Sequence, residues 1–182
     1  MSKPLLIVDV QSGFINQFTH HIPQRIAQLI QRNEYDYILF TRFVNSQEGP
    51  YQKFLDWHSC DAEPETNIVP ELQPFAKPEL IFSKQGLCGM PDTMIDYLQK
   101  DYIDKIFIVG IDTDMCVLKM AMDLFDLGIE PIVLTDCCAS TAGLQAHLAG
   151  LAVLSRNIGA VRLREAGLGD GSLAAPSQKI KD

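Results

Sequence analysis

The sequence is poor in positive charge. Its 182 residues include 15 Lys and Arg against 23 Asp and Glu, which gives a net charge of −8 and an isoelectric point near 4.9. Binding to nucleic-acid phosphates or to anionic lipids requires a dense positive patch, and no such patch is visible, so the composition argues against both classes of partner. The chain also has no internal repeat and no low-complexity segment.

Long hydrophobic runs are missing as well. The longest, such as Ile106–Ile111, fall far short of the ~20 residues of a membrane span. The first apolar run is broken at Asp9 and is too short for a signal peptide, so we expect a cytoplasmic protein. Five cysteines are an odd number, and in a reducing compartment they are free thiols that serve packing or chemistry.

The chain does have a globular composition, with 47% hydrophobic and 21% charged residues. Short β-branched or aromatic runs alternate with stretches of helical period, which is typical of a parallel sheet with helices on both faces. We therefore predict one domain over residues 1–182, an α/β fold of three layers (α/β/α) around a six-stranded, mostly parallel sheet. The strands are predicted at Leu5–Val10, Asp36–Val44, Glu79–Phe82, Lys105–Ile111, Glu130–Thr135 and Gly159–Leu163.

The helices are predicted at Ile22–Gln31, Pro91–Gln99, Asp114–Leu127 and Thr141–Ser155. Residues 48–78, which we call the excursion, are rich in Pro, Glu and Gln with weak periodicity, and we expect them to run over the surface. From residue 164 to 182 the composition predicts a loose tail.

Several chemically active residues follow the predicted strands. Ligands of open α/β sheets bind beyond the carboxyl ends of the strands, where the strand order reverses. Asp9 interrupts an apolar strand, where a charge is costly to bury without a partner. Lys84 would be its counter-charge if both point into one cleft, although taken alone it also fits an exposed loop lysine. The other residues at these positions are Arg42–Asn45, Asp112–Cys116, Asp136 and Cys137.

Cys116 lies near the start of a predicted helix. With Thr113 as the N-cap, Cys116 is the third helical residue, and its N–H is among the four without an intrahelical partner. A helix N-terminus favours a thiolate, Asp114 opposes it, and Lys84 would have to outweigh Asp114. Taken alone, the residue also fits a small buried apolar side chain.

Three segments together resemble the isochorismatase-like cysteine hydrolases, which include nicotinamidases, N-carbamoylsarcosine amidohydrolases and ureidoacrylate amidohydrolases. The match in order and spacing runs from about residue 4 to residue 163. The segment around Cys116 is the most specific part. The matching segments are Asp9-Val10-Gln11-Ser12-Gly13-Phe14, Gly110-Ile111-Asp112-Thr113-Asp114-Met115-Cys116-Val117 and Asp136-Cys137-Cys138-Ala139-Ser140.

The resemblance implies that Asp9, Lys84 and Cys116 are the catalytic residues. It also implies a cis peptide bond between Ile111 and Asp112, with the N–H groups of Asp112 and Cys116 forming an oxyanion hole. The expected reaction is hydrolysis of a C–N bond in a small amide or carbamoyl compound through a thioester, without a cofactor. The family's isochorismatases proper lack the cysteine, so Cys116 favours amide over vinyl-ether hydrolysis. A homo-oligomer, dimer or tetramer, is expected.

The sequence departs from the family pattern in two places. Gly13 stands where an acidic residue often precedes the signature Phe14. The metal-binding nicotinamidases carry an Asp-x-His and further histidines between the second and third strands, whereas this stretch offers only His58, so we expect no metal of that type. Candidate substrate-pocket residues are Phe14, Asn45, Trp57 and Leu87.

Two other functions remain open at this stage. A phosphatase of the haloacid-dehalogenase kind also uses an Asp after the first strand, but it needs a second acid two residues later, where this chain has Gln11. A non-catalytic binding protein on the same fold is the other alternative. Fast alkylation of Cys116 well below pH 8.5 would favour the enzyme.

Overall fold

The computed structural model describes residues 2–86 and 90–168. Six strands form one sheet in which all pairs are parallel, and the strand order is β3-β2-β1-β4-β5-β6. The order reverses between the neighbours β1 and β4, which is where open α/β sheets bind ligands. The strands are β1 (Pro4–Val8), β2 (Tyr37–Phe43), β3 (Ile81–Lys84), β4 (Lys105–Ile111), β5 (Glu130–Ala139) and β6 (Leu163–Arg164).

Helices cover both faces of the sheet, so the predicted three-layer α/β/α fold is confirmed. Successive residues of β1 alternate between two cores: Leu5 and Ile7 face one, and Leu6 and Val8 face the other. The first core includes the apolar stripe of α1, and the second includes those of α3, α4 and α5. The helices are α1 (Ile22–Gln31), α2 (Pro50–Leu55), α3 (Asp92–Lys100), α4 (Leu118–Asp126) and α5 (Leu144–Leu154).

Two predicted strands are displaced. Pro78–Leu80 forms a short 3-10 turn with Pro78 at its first position, so β3 begins at Ile81 rather than at residue 79. The predicted sixth strand, 159–163, begins only at Leu163, because α5 runs on into irregular helical turns as far as residue 162.

The helix predicted at 141–155 begins three residues late, at Leu144. Gly143 precedes it with φ 94°, a left-handed conformation that glycine adopts without a steric penalty. Residues 140–143 are therefore a connection between β5 and α5, and we call them the β5–α5 connection.

Part of the excursion is buried, although its composition predicts a surface segment. It contains α2, and three of its apolar side chains, Ile68, Val69 and Leu72, are buried in the core on the α1 face. Gln11 and Ile68 form an isolated antiparallel bridge, so this part of the excursion is attached to the end of β1. Alternation is absent from such segments, which is why their buried positions do not stand out in the sequence.

The first residues of the predicted loose tail are held in place. Arg164 pairs with Leu134 in the sheet, and the Ala166 N–H donates to Asp136 Oδ1 at 2.7 Å. Arg32 donates to the carbonyls of Ala166 and Gly167. The remainder of the predicted tail, 169–182, lies outside the described residues. Within the described ranges, every helix is too short or too polar to cross a lipid bilayer.

Candidate active site

Asp9 and Lys84 meet at the carboxyl ends of β1 and β3. Lys84 Nζ lies 2.6 Å from Asp9 Oδ2, and both side chains are almost fully buried. Thr41, which is directly opposite Val8 in β2, donates its hydroxyl to Asp9 Oδ1 at 2.7 Å. The carboxylate thus has a partner on each oxygen, which offsets the cost of burying its charge.

Cys116 completes the group. Its Sγ lies 3.5 Å from Lys84 Nζ, and the residue is 7% exposed. Lys84 also donates to the Gly86 carbonyl at 3.1 Å, so its ammonium is held among three acceptors. The structure therefore brings the three side chains predicted from the strand ends into one buried cluster, with the lysine between the acid and the thiol.

The electrostatics of this cluster differ from the sequence-based expectation of an ionised thiol. Burial raises the pKa of the Cys116 thiol, the neighbouring Asp9 carboxylate raises it further, and Lys84 only opposes these effects. Burial alone would lower the pKa of Lys84, but Asp9 and Cys116 outweigh it and the pKa is raised. In this closed arrangement, burial and Asp9 therefore favour the protonated form of the Cys116 thiol, and Lys84 favours the thiolate expected from the sequence.

Cys116 is presented by an irregular turn. Residues Thr113–Val117 are π-helical and lead into α4, with Asp112 rather than the predicted Thr113 as the N-cap. Cys116 is therefore the fourth helical residue, not the third. We call residues 112–117 the Cys116 turn.

Two backbone N–H groups of the Cys116 turn donate to the Asp112 carbonyl, and the Cys116 N–H is not one of them. The N–H groups of Met115 and Val117 both donate to the Asp112 carbonyl, at 3.1 and 3.0 Å. The Cys116 N–H lies between these two donors and takes no part in that pair of bonds. The Ile111–Asp112 peptide bond is cis, as the resemblance implied.

An aromatic cluster lies beside Lys84. Phe14 and Trp57 stack with centroids 6.3 Å apart, and Phe43 and Tyr51 pack against Trp57 at 5.9 and 5.7 Å. Lys84 Nζ lies 5.4 Å from the centre of the Phe43 ring, within cation–π range. Phe14 and Trp57 were predicted to line the pocket and lie at this wall, half-buried.

Sequence reasoning missed Thr41, which had a usable signal because it lies near the end of a predicted strand next to that of Asp9. Phe43 lies within the strand-end segment Arg42–Asn45, but its cation–π contact was not predicted. Tyr51 belongs to α2, which was not predicted, and its packing in the aromatic cluster was not assigned to the site.

The other two pocket candidates have different outcomes. Asn45 is 2% exposed, and its amide donates to the carbonyls of Trp57 and Ser59 at 2.9 and 3.1 Å. Its observed contacts hold the Trp57 segment in place. Leu87 lies outside the described residues, as does Cys88.

A solvent-open depression of about 580 Å³ adjoins the aromatic cluster and is lined by residues 56–59 and 61–65. Trp57 borders both features. His58 Nε2 lies 3.0 Å from Asp56 Oδ1, with both side chains largely exposed. Among residues 2–86 and 90–168, no three His, Cys, Asp or Glu side chains converge in a way that could hold a metal ion.

A family model described as the isochorismatase domain matches residues 3–166. The chain is a member of that family. Known structures confirm the isochorismatase fold. An isochorismatase-like hydrolase from Alkaliphilus metalliredigens superposes with a TM-score of 0.78 at 20% identity, over 91% of this chain and 96% of the other.

Two further solved structures of this family fold carry names of specific enzymes. A pyrazinamidase/nicotinamidase from Streptococcus mutans has a TM-score of 0.74 at 24% identity, covering 87% of this chain and 98% of that one. An N-carbamoylsarcosine amidase from Thermoplasma acidophilum has a TM-score of 0.75 at 19% identity, covering 94% and 100%. At these identities the likeness establishes the fold.

Proposed function

We propose that this isochorismatase-family protein is a thiol-dependent amidohydrolase acting on a small amide or carbamoyl compound. The observation that carries the proposal is the position of Lys84 Nζ, 2.6 Å from Asp9 Oδ2 and 3.5 Å from Cys116 Sγ, in a site closed to bulk water. Two similar folds named as a nicotinamidase and an N-carbamoylsarcosine amidase support a C–N bond as the target.

The first half of the reaction forms a thioester. Because the resting thiol is protonated, Asp9 accepts the Cys116 proton as Sγ attacks the substrate carbonyl carbon. Lys84 offsets the negative charge that Asp9 and Sγ would otherwise share. The carbonyl oxygen becomes an oxyanion, which the N–H groups of Asp112 and Cys116 stabilise. Protonated Asp9 then gives its proton to the departing nitrogen, the C–N bond breaks, and an amine or ammonia leaves.

The second half regenerates the enzyme. Asp9, again ionised, takes a proton from water as the water oxygen attacks the thioester carbon. The C–S bond breaks, and Sγ recovers the proton, which leaves a free carboxylic or carbamic acid. None of these steps requires a cofactor. The phosphatase alternative gains no support, since the Gln11 side chain bonds the backbone of Phe43 and Thr66.

A screen for ammonia release tests this function. Wild-type protein is incubated with nicotinamide, small aliphatic and aromatic amides, and carbamoyl compounds, with Cys116→Ala as the matched control. We expect release from at least one class with wild type and none above background with the variant. Equal release by both proteins, or Mg²⁺-dependent phosphatase activity that survives Cys116→Ser, would overturn the proposal.

Two further features belong to the proposal. We place the reaction in the cytoplasm, because the four described cysteines are all free, which fits a reducing compartment. We also propose a homo-oligomer. Leu144 and Leu148 project from α5 with 62% and 47% of their surface exposed, which supports contact with another copy.

A further inference from the structure

We propose that Asp112 and Thr141 are positioning residues for this hydrolysis. Their paired side-chain contacts fix the start of the Cys116 turn against the β5–α5 connection, so that Sγ and the two N–H donors keep the geometry that the oxyanion requires. The inference rests on the proposed function and adds two side chains that do not touch the substrate.

The Asp112 carboxylate makes both of its contacts with one residue. The Thr141 N–H donates to Oδ1 at 2.6 Å, and the Thr141 hydroxyl donates to Oδ2 at 2.8 Å. Asp112 is 7% exposed, so these bonds are shielded from water. Through its carbonyl, the same residue accepts the N–H groups of Met115 and Val117. Asp112 thus joins the hydrogen bonds of the Cys116 turn to a separate segment of chain.

Thr141 is in turn held by a hydrogen bond to another segment of the chain. Asn16 Nδ2 donates to the Thr141 carbonyl at 2.9 Å, and the Asn16 side chain also accepts the N–H of Phe18. Within the connection, the Ala142 N–H donates to Ser140 Oγ. Thr141 is therefore a fixed point to which the Cys116 turn can be attached.

Helix α5 supports the rest of the turn from behind. Gly150 packs so closely that a Cβ there would lie 2.7 Å from the Asp114 Cα, and Thr113 Oγ1 shares a 2.8 Å hydrogen bond with His147 Nδ1. These contacts hold residues 113 and 114. The contacts with Thr141 hold Asp112 itself, whose N–H is one of the two oxyanion donors. Removing these contacts should therefore displace the start of the Cys116 turn before residues 113 and 114.

Substitutions of Asp112 and Thr141 can separate the effect of their hydrogen bonds from the effect of the Asp112 charge. An asparagine at 112 can accept the Thr141 N–H through Oδ1 and can donate from Nδ2 to the Thr141 hydroxyl, since a hydroxyl both donates and accepts. Asp112→Asn therefore keeps both contacts without the negative charge, whereas Asp112→Ala removes both. Thr141→Ser keeps the hydroxyl, and Thr141→Val removes it while leaving the backbone bond.

The test compares these four variants on the amide found in the screen, with kcat, KM and thermal midpoint measured for each. A misplacement of about 1 Å costs roughly 10²-fold in rate, so we expect Asp112→Ala to lower kcat about 10²-fold with KM within about threefold. Asp112→Asn should recover at least tenfold of that loss. Thr141→Val should lower kcat about tenfold, and Thr141→Ser should restore most of it. Equal kcat losses in Asp112→Asn and Asp112→Ala would overturn the inference. A lowered thermal midpoint with unchanged kcat in Asp112→Ala and Thr141→Val would also overturn it.

A second readout needs no substrate and keeps the inference distinct from the proposed function. Cys116 is nearly buried, so loosening the turn should expose Sγ to iodoacetamide. We expect alkylation of residue 116, located by peptide mass mapping, to be at least about fivefold faster in Asp112→Ala than in Asp112→Asn at one pH. If wild type hydrolyses none of the screened compounds, the proposed function fails while this alkylation rate still decides the positioning role, and equal rates in the two variants would refute it. If Asp112→Ala does not fold, the alkylation rates of Thr141→Val and Thr141→Ser supply the same comparison.

Discussion

The strand ends and the excursion contribute differently to the site. Asp9, Lys84 and Cys116 are at most 7% exposed, and their places are set by the ends of the parallel strands β1 and β3, which flank β2, and by the turn that follows β4. Trp57 belongs to the excursion and lies half-buried beside an open depression. The Asn45 amide donates to the Trp57 carbonyl and to one further carbonyl of the excursion. In the proposed function, the buried sheet edge would break the bond and the open wall would select the substrate.

The largest expected effect comes from Lys84→Met at the sheet edge. Removing one partner of a buried ion pair leaves an uncompensated carboxylate, so we expect the free energy of unfolding to fall by about 3–5 kcal/mol. Loss of the electrostatic support should lower kcat by about 10²–10³-fold. Urea denaturation and steady-state kinetics measure the two quantities.

The double variant Asp9→Asn with Lys84→Met is the control for this prediction. With neither charge buried, it should recover part of the stability but none of the activity. A double variant less stable than Lys84→Met would show that the pair does not carry the charge balance of the site.

Asn45→Ala tests how firmly the excursion is attached to the sheet. The change leaves two carbonyl groups, those of Trp57 and Ser59, without their donor, and we expect a loss of about 1–3 kcal/mol in the free energy of unfolding. Asn45→Asp lacks the donor as well and should not restore the loss. Unchanged denaturation midpoints in both variants would mean that the ring contacts and backbone hydrogen bonds of the Trp57 segment hold it without the Asn45 amide.

Trp57→Ala should separate binding from chemistry. The variant removes the ring stacked on Phe14, and we expect KM to rise about tenfold while kcat stays within about threefold. Phe54→Ala is the matched control, because that side chain is 72% exposed and lies in the same excursion. A fall in kcat as large as that of Lys84→Met would erase the distinction between the two regions.

The smallest expected effect is on the pH dependence of stability. Burial lowers the pKa of His147 from its usual 6.5, against the opposing charge of Asp114, and burial with His20 lowers the pKa of His21. The unfolded chain then binds these protons first, so the free energy of unfolding decreases as pH falls below about 6.5. Denaturation of wild type and His147→Gln at pH 8 and pH 5 measures this. The variant should lose less stability on acidification, and an equal loss would contradict the assignment to His147.

The sheet and the clustering of Asp9, Lys84 and Cys116 were predictable because of regular geometry. Parallel strands end at one edge, so residues that follow apolar runs, such as Asp9 and Lys84, necessarily gather there. The start of the Cys116 turn was not predictable, since both Asp112 and Thr113 are common N-cap residues, and its π-helical form left no signal in the sequence. The state of the thiol also depended on burial that spacing does not report.

The excursion resisted prediction for a different reason. Its order comes from contacts distant in sequence, such as the Asn45 amide on Trp57 and the packing of Phe43 under the same ring. Neither leaves a periodic pattern. Residues 87–89, which include the predicted pocket residue Leu87, lie outside the described part of the chain.

Trp57 is the sole tryptophan of the protein, and it stacks on Phe14 beside the depression. Intrinsic fluorescence excited at the indole band therefore originates from a single place, in the aromatic cluster beside the proposed site. A compound that settles against this ring will quench or shift the emission whether or not it is turned over. Titrations on the Cys116→Ala protein can thus rank ligands by affinity independently of product formation.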